Sequence, residues 1–423
     1  MKKVILSLAG VFAATAFAPE ASAIPSFSRQ TSMACTTCHA QHFPVLNSFG
    51  QAFKAGGYTI MGAQGKVEGE RLSLPDTLNM SLVLKARYQK ENGTDGPGII
   101  SGETKNGGQL QLADEFAFLV GGRVAENVGF LFEGALHGGP EGGIAAGFKM
   151  PFVFDVRAVK LSAIPFYTDG LGVAYGYELA STGAMRAARW SEHRKEISAQ
   201  QYIGTDGKAT GLALVAQNDM GYINLSRWSP TFVEAIQLKS NYLRIAATPT
   251  AGDWAMHIGG QLWNGSSYTN ATPDVISGVA TPVVIPGVPA ALVDTKAAAL
   301  DFQAQGQLAG KDLSVYATWA KAPAAAGATP NHFNGGANDK KAWTIGADYS
   351  VIPKALHIGA AYRNARNGKA AGVDGDNAIT LNAVYDLRQN VALHLAHSSY
   401  SGSAYNTAGK ADALTTLMLF AAW

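Results

Sequence analysis

The chain has 423 residues and a formal net charge of +2, so it lacks the basic excess of a nucleic-acid-binding protein, and no nucleic-acid partner is expected. It contains only two cysteines, which excludes a scaffold held together by many disulfides.

The N-terminal residues have the pattern of a secretory signal peptide. Two lysines precede an apolar run from Val4 to Ala18, and Ala21-Ser22-Ala23 forms a small-residue cleavage site. The apolar run is too short for a membrane anchor, so residues 1–23 are predicted to be removed on export. No later apolar stretch is long enough for a spanning helix, which leaves an exported soluble protein or a β-barrel.

Both cysteines lie in one motif, Cys35-Thr36-Thr37-Cys38-His39. In a Cys-x-x-Cys-His motif, two thiols attach haem c and the adjacent histidine ligates the iron. A disulfide, a thioredoxin-like redox pair and half of a zinc site are the alternatives. The redox pair would need a βαβ context and the zinc site a second group of ligands, and neither is present. The motif therefore predicts one covalently bound haem c.

The chain divides near Pro75. Residues 24–75 carry the haem motif, several Gly and Pro breakers and one short helix-like segment, Val45 to Lys54. From residue 76 to residue 423 the pattern has period two, which is the period of β-strands. We therefore predict a monohaem cytochrome c segment at 24–75, followed by a β-barrel at 76–423.

The alternation is regular enough to assign faces. In one segment, Trp343, Ile345, Ala347 and Tyr349 alternate with Thr344, Gly346, Asp348 and Ser350, and similar runs occur at 79–88, 300–308, 356–363 and 391–398. The runs are about ten residues long, which suits a tilted membrane-spanning strand better than a soluble sheet.

We count about sixteen such segments, an even number as bacterial outer-membrane barrels require. Their connections alternate between short turns and long loops, with a connection at 162–169 of intermediate length. If both termini are periplasmic, the long loops are extracellular. The last strand ends on Trp423, which resembles the C-terminal signal of outer-membrane proteins. The fold class is therefore all-β: an antiparallel transmembrane barrel in the bacterial outer membrane, surrounded by lipid.

A barrel of this size encloses a lumen, and a segment of about fifty residues is of the right order of size to plug or cap it. The predicted lumen wall carries many charged residues: Lys85, Arg87, Glu115, Arg123, Glu133, Asp155, Arg157, Arg244, Asp301, Asp348, Arg363, Asp386 and Arg388. They would be solvated wall residues or would dock the plug, and the pattern does not separate the two roles.

Residues 24–60 resemble a known family, the fused outer-membrane cytochrome–porins that act as iron oxidases in iron-oxidising bacteria. The resemblance covers about a tenth of the chain and is carried by these residues: Ile24-Pro25-Ser26-Phe27-Ser28-Arg29-Gln30-Thr31, Cys35-Thr36-Thr37-Cys38-His39, Pro44-Val45-Leu46-Asn47-Ser48-Phe49-Gly50, Phe53-Lys54 and Gly57-Tyr58-Thr59.

The resemblance implies that Cys35 and Cys38 bind haem covalently and that His39 is the proximal iron ligand. It also implies packing or haem-propionate contacts for Arg29, Asn47, Phe49 and Lys54, of which Arg29 and Lys54 are the candidates for the propionates. Family members take an electron from extracellular Fe(II) and pass it through the haem to a periplasmic carrier, a soluble c-type cytochrome. An outer-membrane iron(II) oxidase is therefore the first functional expectation.

The sixth haem ligand stays open. His42 is expected on the same helical face as His39, and Met33 lies too near the motif, whereas Met61 and Met80 are far enough away. Two other functions also stay open: a porin whose haem segment gates solute passage, and a cytochrome–porin with another extracellular redox partner or the opposite direction of electron flow. No iron-binding site is apparent in the loops.

Overall fold

The computed structural model describes residues 25–70, 72–93, 107–136, 145–185, 198–232, 237–269, 271–273, 282–284, 292–325 and 329–423. The predicted signal segment, residues 1–23, lies outside these ranges. Within them, no helix is both long and apolar enough to cross a membrane.

The N-terminal segment contains three short helices and a hairpin. The helices are α1 (Pro25–Thr31), α2 (Cys35–Cys38) and α3 (Ser48–Ala55), and the hairpin consists of strands β1 (Lys66–Gly69) and β2 (Leu72–Pro75). The predicted helix-like segment is confirmed as α3, which begins where the Asn47 side chain accepts a hydrogen bond from the Gly50 amide. The sequence pattern did not predict α1 and α2.

The rest of the chain is largely sheet. Its strands are β3 (Met80–Glu91), β4 (Gln109–Ala125), β5 (Val128–Ala135), β6 (Ala145–Lys149), β7 (Phe152–Val156), β8 (Val159–Thr168), β9 (Ala209–Asn218), β10 (Gly221–Ser229), β11 (Ser240–Ala247), β12 (Thr250–Ala251), β13 (Trp254–Asn264), β14 (Ser266–Tyr268), β15 (Ala271–Pro273), β16 (Pro282–Val284), β17 (Leu292–Asp294), β18 (Ala297–Leu308), β19 (Lys311–Ala322), β20 (Lys340–Ile352), β21 (Leu356–Asn367), β22 (Asn377–Arg388), β23 (Val391–Ser401) and β24 (Ala413–Ala422). One further helix, α4 (Ala199–Ile203), and two 3₁₀ turns, Val173–Tyr175 and Ser403–Tyr405, lie in the connections.

The sheet closes into a barrel, as predicted. In two places consecutive segments continue one strand, β6 with β7 and β11 with β12, so the closed antiparallel barrel has 16 strands. The last strand, β24, pairs with the first, β3. Trp423 and Leu82 exchange both backbone hydrogen bonds at this seam, with N–O distances of 2.8 and 3.0 Å. Closure leaves no free sheet edge in the membrane.

Short and long connections alternate around the barrel. The short turns are 126–127, 157–158, 219–220, 252–253, 309–310, 353–355 and 389–390, and they define the short-turn end. The other connections define the long-loop end. The predicted connection at 162–169 is wrong, because these residues form most of β8. The turn lies at 157–158, where Arg157 adopts a φ of 56°. No Gly, Asn or Pro marks this turn, so its sequence carries no turn signal.

The two faces of the wall have opposite polarity. Ile345 is 55% exposed and Leu300 is 59% exposed, whereas their neighbours Thr344 and Asp301 are 1% and 4% exposed. The predicted inside and outside faces are therefore confirmed at these positions. An apolar exterior around a polar interior is the pattern of a barrel that faces lipid. Of the charged residues predicted on the inner wall, Arg157 instead lies in a turn.

The lumen is filled from both ends. The N-terminal segment occupies the short-turn half and contacts the wall around its circumference: Ser26 Oγ lies 2.8 Å from Ser81 Oγ, Gln41 donates to the Asp348 carbonyl, and Gln51 Oε1 lies 2.8 Å from His257 Nε2. In the long-loop half, residues 169–185 and α4 pack against inward-facing aromatic residues. Arg244 joins Glu178 of this inserted segment to Asp301 of the wall, at 3.0 and 2.5 Å.

The lipid-facing register can be tested by placing a charge at two depths. Ile345→Arg should destabilise the barrel by about 2–4 kcal/mol, because the side chain meets lipid at mid-strand. Leu308→Arg, at the short-turn end of β18, should cost only about 0–1 kcal/mol. Denaturant titration of the refolded variants in bilayers would measure both costs. Equal costs would show that the depth assignment is wrong.

Candidate functional site

The cysteine–histidine motif forms a single helical turn. Cys35 and Cys38 begin and end α2, and neither sulfur is in a disulfide. His39 follows in extended conformation, with φ −111° and ψ 137°, and its Nδ1 lies 3.3 Å from the Val45 carbonyl oxygen. This contact suits a protonated Nδ1 and leaves Nε2 as a ligand atom. Such an outer hydrogen bond is typical of metal-ligating histidines.

Burial changes the pKa values of the two thiols and of the imidazole in this motif. Burial raises the pKa of Cys35 to about 12 and also raises the pKa of Cys38. A reactive redox cysteine has a lowered thiol pKa, so this environment does not favour a thioredoxin-like pair. Burial lowers the pKa of His39 to about 4, so the imidazole is neutral and its Nε2 lone pair is available at neutral pH.

Helices α2 and α3 are held close together. The Asn47 side chain, which caps α3, donates to the Thr37 carbonyl at 3.0 Å. A Cβ at Gly50 would lie 2.2 Å from the Cys38 carbonyl oxygen, so only glycine allows this approach. Two residues that carry the family resemblance thus position the motif.

A cavity of about 1030 Å³ of empty space lies on the Cys38 side of the motif. Much of its wall is aromatic: Phe27 stacks on Tyr58 at 5.0 Å between ring centroids and meets Phe53 edge-on at 5.2 Å. These three residues also belong to the resemblance, and together they give the cavity an apolar lining.

A second space of about 620 Å³ lies on the Cys35 side. It is bordered by turn residues of the short-turn end, including Gln389 and Asn390. The Cys35 amide donates to the Gln389 side chain at 3.0 Å. Because His39 borders both spaces, the motif lies between the short-turn mouth and the inner cavity.

The residues present fit a c-type haem. Two unpaired thiols lie one helical turn apart, a histidine presents Nε2, and an apolar cavity adjoins them. Lys54 also lines this cavity, as required for the predicted propionate contact, and its Nζ donates to the Glu178 carbonyl at 2.5 Å. Burial lowers the pKa of Lys54 to about 8, because little solvent reaches the ammonium group to stabilise its charge.

Two residues do not lie where the sequence predicted them. Arg29 is exposed and donates to the Met80 carbonyl at 2.7 Å, so the structure does not bring it to the cavity. His42 is not on a helix with His39, because α2 ends at Cys38. Its ring instead lies 6.2 Å from His357 and 6.0 Å from His394, between centroids.

The methionines that line the cavity are Met33 and Met185. Met61 and Met80, the two candidates for a sixth ligand that the sequence left open, are not among the lining residues, and Met80 is 45% exposed on the outer face of β3. Met185 comes from the segment inserted from the long-loop end. No local pattern could have indicated it, because its proximity depends on the path of a long connection.

Within the described parts of the chain, no group of three or more His, Cys, Asp or Glu side chains could hold a metal ion.

The chain was compared with known families, curated proteins and solved structures. No family profile and no curated protein matches it. Among solved structures, it is similar to OmpT of Vibrio cholerae, with a TM-score of 0.45, 11% identity, and coverage of 85% of this chain and 100% of that one. A porin refined at 1.8 Å has a TM-score of 0.46 and 12% identity, with 82% and 100% covered. OpdK from Pseudomonas aeruginosa has a TM-score of 0.41 and 11% identity, with 81% and 98% covered. The assignment of a porin-like barrel rests on the strand pairing described above.

The role of the close contact between α2 and α3 can be tested with a matched pair of variants. Gly50→Ala should lower haem loading severalfold, because the new Cβ forces Cys38 away from α3. Gly56→Ala, whose Cβ would meet its nearest atom at 3.4 Å, should load normally. Haem stain per unit of heat-modifiable barrel measures the loading. Equal loading of the two variants would refute a role for this contact in haem attachment.

Proposed function

We propose that this protein is an outer-membrane electron-transfer protein, an iron(II) oxidase that takes electrons from extracellular Fe(II) and passes them to a periplasmic carrier. The observation that carries the proposal is a haem-attachment motif, with His39 oriented by Val45, held inside a membrane barrel next to an apolar cavity. The resemblance of residues 24–60 to cytochrome–porin iron oxidases supports the choice of substrate.

The orientation follows from the asymmetry of the connections. Bacterial barrels have short periplasmic turns and longer extracellular loops. This puts the short-turn end, the N-terminal segment and the space beside Cys35 on the periplasmic side. A periplasmic carrier, which we propose to be a c-type cytochrome, would approach at that mouth, whereas Fe(II) would arrive at the long-loop end.

The filled lumen favours electron transfer over solute passage. In the long-loop half, Trp228, Tyr242 and Trp263 point inward and are each 1–2% exposed. The buried Glu178–Arg244–Asp301 cluster lies in the same half, where it ties the inserted segment to the wall. An electron can tunnel through packed protein, but a hydrated solute needs an open path.

Each residue of the site has a separate role in this proposal. Cys35 and Cys38 would attach the cofactor, His39 would be its proximal ligand, and Lys54 would hold a propionate. The aromatic cavity wall would exclude water, which tunes the reduction potential. When bound, the haem supplies a one-electron couple suited to a one-electron donor such as Fe(II).

The porin-like barrel supports a second candidate, a channel in which the haem segment controls solute passage. A cytochrome–porin with another extracellular partner is a further variant of the first proposal. Outer-sphere transfer would need no tight set of Fe(II) ligands at the loops.

The Fe(II) proposal can be tested with one ligand variant. Added Fe(II) should reduce the haem of the wild-type protein, and His39→Ala should abolish reduction while the barrel still folds. The two properties separate because barrel stability depends on strand pairing and the redox couple on the axial ligand. Stopped-flow spectra of the haem bands measure reduction, and His397→Ala, at an exposed wall position, is the control.

Two outcomes would count against this function. Wild-type haem that remains oxidised in excess Fe(II), at acidic and neutral pH, would favour another donor. Ion conductance through liposomes that increases when haem is absent would favour the gated channel.

A further inference from the structure

The cavity contains a second buried lysine that the family resemblance does not include. Lys149, on β6 of the barrel wall, is 3% exposed and lines the cavity. Its Nζ donates to the Tyr175 carbonyl at 3.1 Å and lies 4.3 Å from the centroid of the Tyr175 ring. The Tyr58 ring lies 5.8 Å away on the other side. Its described contacts are thus with a carbonyl and aromatic faces, rather than with a carboxylate.

Tyr175, in the inserted segment, presents an unpaired donor beside this lysine. The residue is 4% exposed, and its hydroxyl is buried without a hydrogen-bond partner. A Cβ at Gly147, two residues before Lys149, would lie 3.2 Å from this hydroxyl, so the group lies against the same strand. The hydroxyl therefore adjoins the β6 wall of the cavity.

With Lys54, the cavity is lined by two lysines, one from α3 and one from β6. Glu133 is the one carboxylate among its lining residues. A buried cation is costly unless an anion compensates it, and an unpaired buried hydroxyl carries its own desolvation cost. The arrangement therefore matches a ligand that is apolar over most of its surface and carries two carboxylates.

We propose that Lys149 and Tyr175 together hold one propionate of the haem, and that Lys54 holds the other. This rests on the haem-binding part of the proposed function and extends it. The barrel wall and the segment inserted from the long-loop end become part of the cofactor site.

The first test is potentiometry of the haem-loaded protein. Lys149→Gln should lower the midpoint potential, because a nearby positive charge favours the reduced haem, and Lys149→Arg should retain most of the wild-type value. Tyr175→Phe, which removes only the hydroxyl, should give a smaller decrease. Lys160→Gln, at an exposed position on β8, is the control. A Lys149→Gln potential equal to that of Lys160→Gln would overturn the proposal.

The second test isolates recognition of the carboxylate. Full-length protein without covalent haem is titrated with hemin and with hemin dimethyl ester, whose propionates are neutral. Wild type should prefer hemin, and Lys149→Gln should reduce that preference about tenfold, the loss expected for one charge-assisted hydrogen bond. An unchanged preference would show that Lys149 affects the potential without holding a propionate.

Tyr175→Phe provides an internal comparison that does not depend on charge. Without haem its stability should equal or exceed that of wild type, because an unpaired buried hydroxyl is removed. With haem, its preference for hemin over the ester should be weaker than that of wild type. Chemical reductants and mediators set the redox state in these experiments. Absence of the proposed propionate contacts can therefore be distinguished from absence of Fe(II) oxidation.

Discussion

Closure of the sheet between β24 and β3 is the constraint from which the rest of the architecture follows. In lipid, every backbone amide and carbonyl needs a partner. Pairing of β24 with β3, which includes the two Trp423–Leu82 hydrogen bonds, provides partners for the two strands that would otherwise be sheet edges. A closed barrel of 16 strands is wide enough to leave an interior. The polar side chains that strand alternation directs inward then need water or protein as partners.

Protein fills much of that interior here, and the candidate site is one result. The N-terminal segment supplies the cysteines, His39 and Lys54, the wall supplies Lys149, and the inserted segment supplies Tyr175 and Met185. No single element encloses the cavity. The Glu178–Arg244–Asp301 cluster holds the inserted segment against the wall, so an interaction outside the haem motif determines where the third side of the cavity lies. Breaking one partner of such a buried cluster typically costs about 3–5 kcal/mol.

The parts of this structure that local chemistry determines could be predicted from the sequence. Strand alternation predicted the faces at Ile345 and Asp301, and the structure confirms them. The spacing of Cys35, Cys38 and His39 predicts haem attachment, which stays a prediction. The turn at 157–158 was missed because Arg157 adopts a left-handed conformation without a favourable residue type.

The residues that line the cavity could not be predicted from the sequence for a different reason. Lys149 has the pattern of an ordinary inward-facing strand residue and Met185 that of an ordinary loop residue. Docking of the N-terminal segment in the lumen brings His39 to the cavity that Lys149 lines, and folding of a long connection into the lumen adds Met185. The same limit applies to Arg29, which the resemblance associates with a propionate but which the fold turns towards Met80. Contacts between distant parts of the chain have no signature in local sequence patterns.

The docking of α2 inside the barrel also has a consequence for biogenesis. Cys38 faces an inner cavity, and Cys35 is hydrogen-bonded to a turn of the wall, so an enzyme of ordinary size has no approach to both thiols once the segment is in place. Under the proposed function, covalent attachment of haem would therefore precede docking of the segment. Maturation of the cytochrome and insertion of the barrel would then be successive steps on one polypeptide, and a cell that delayed the first would accumulate barrels without covalent haem.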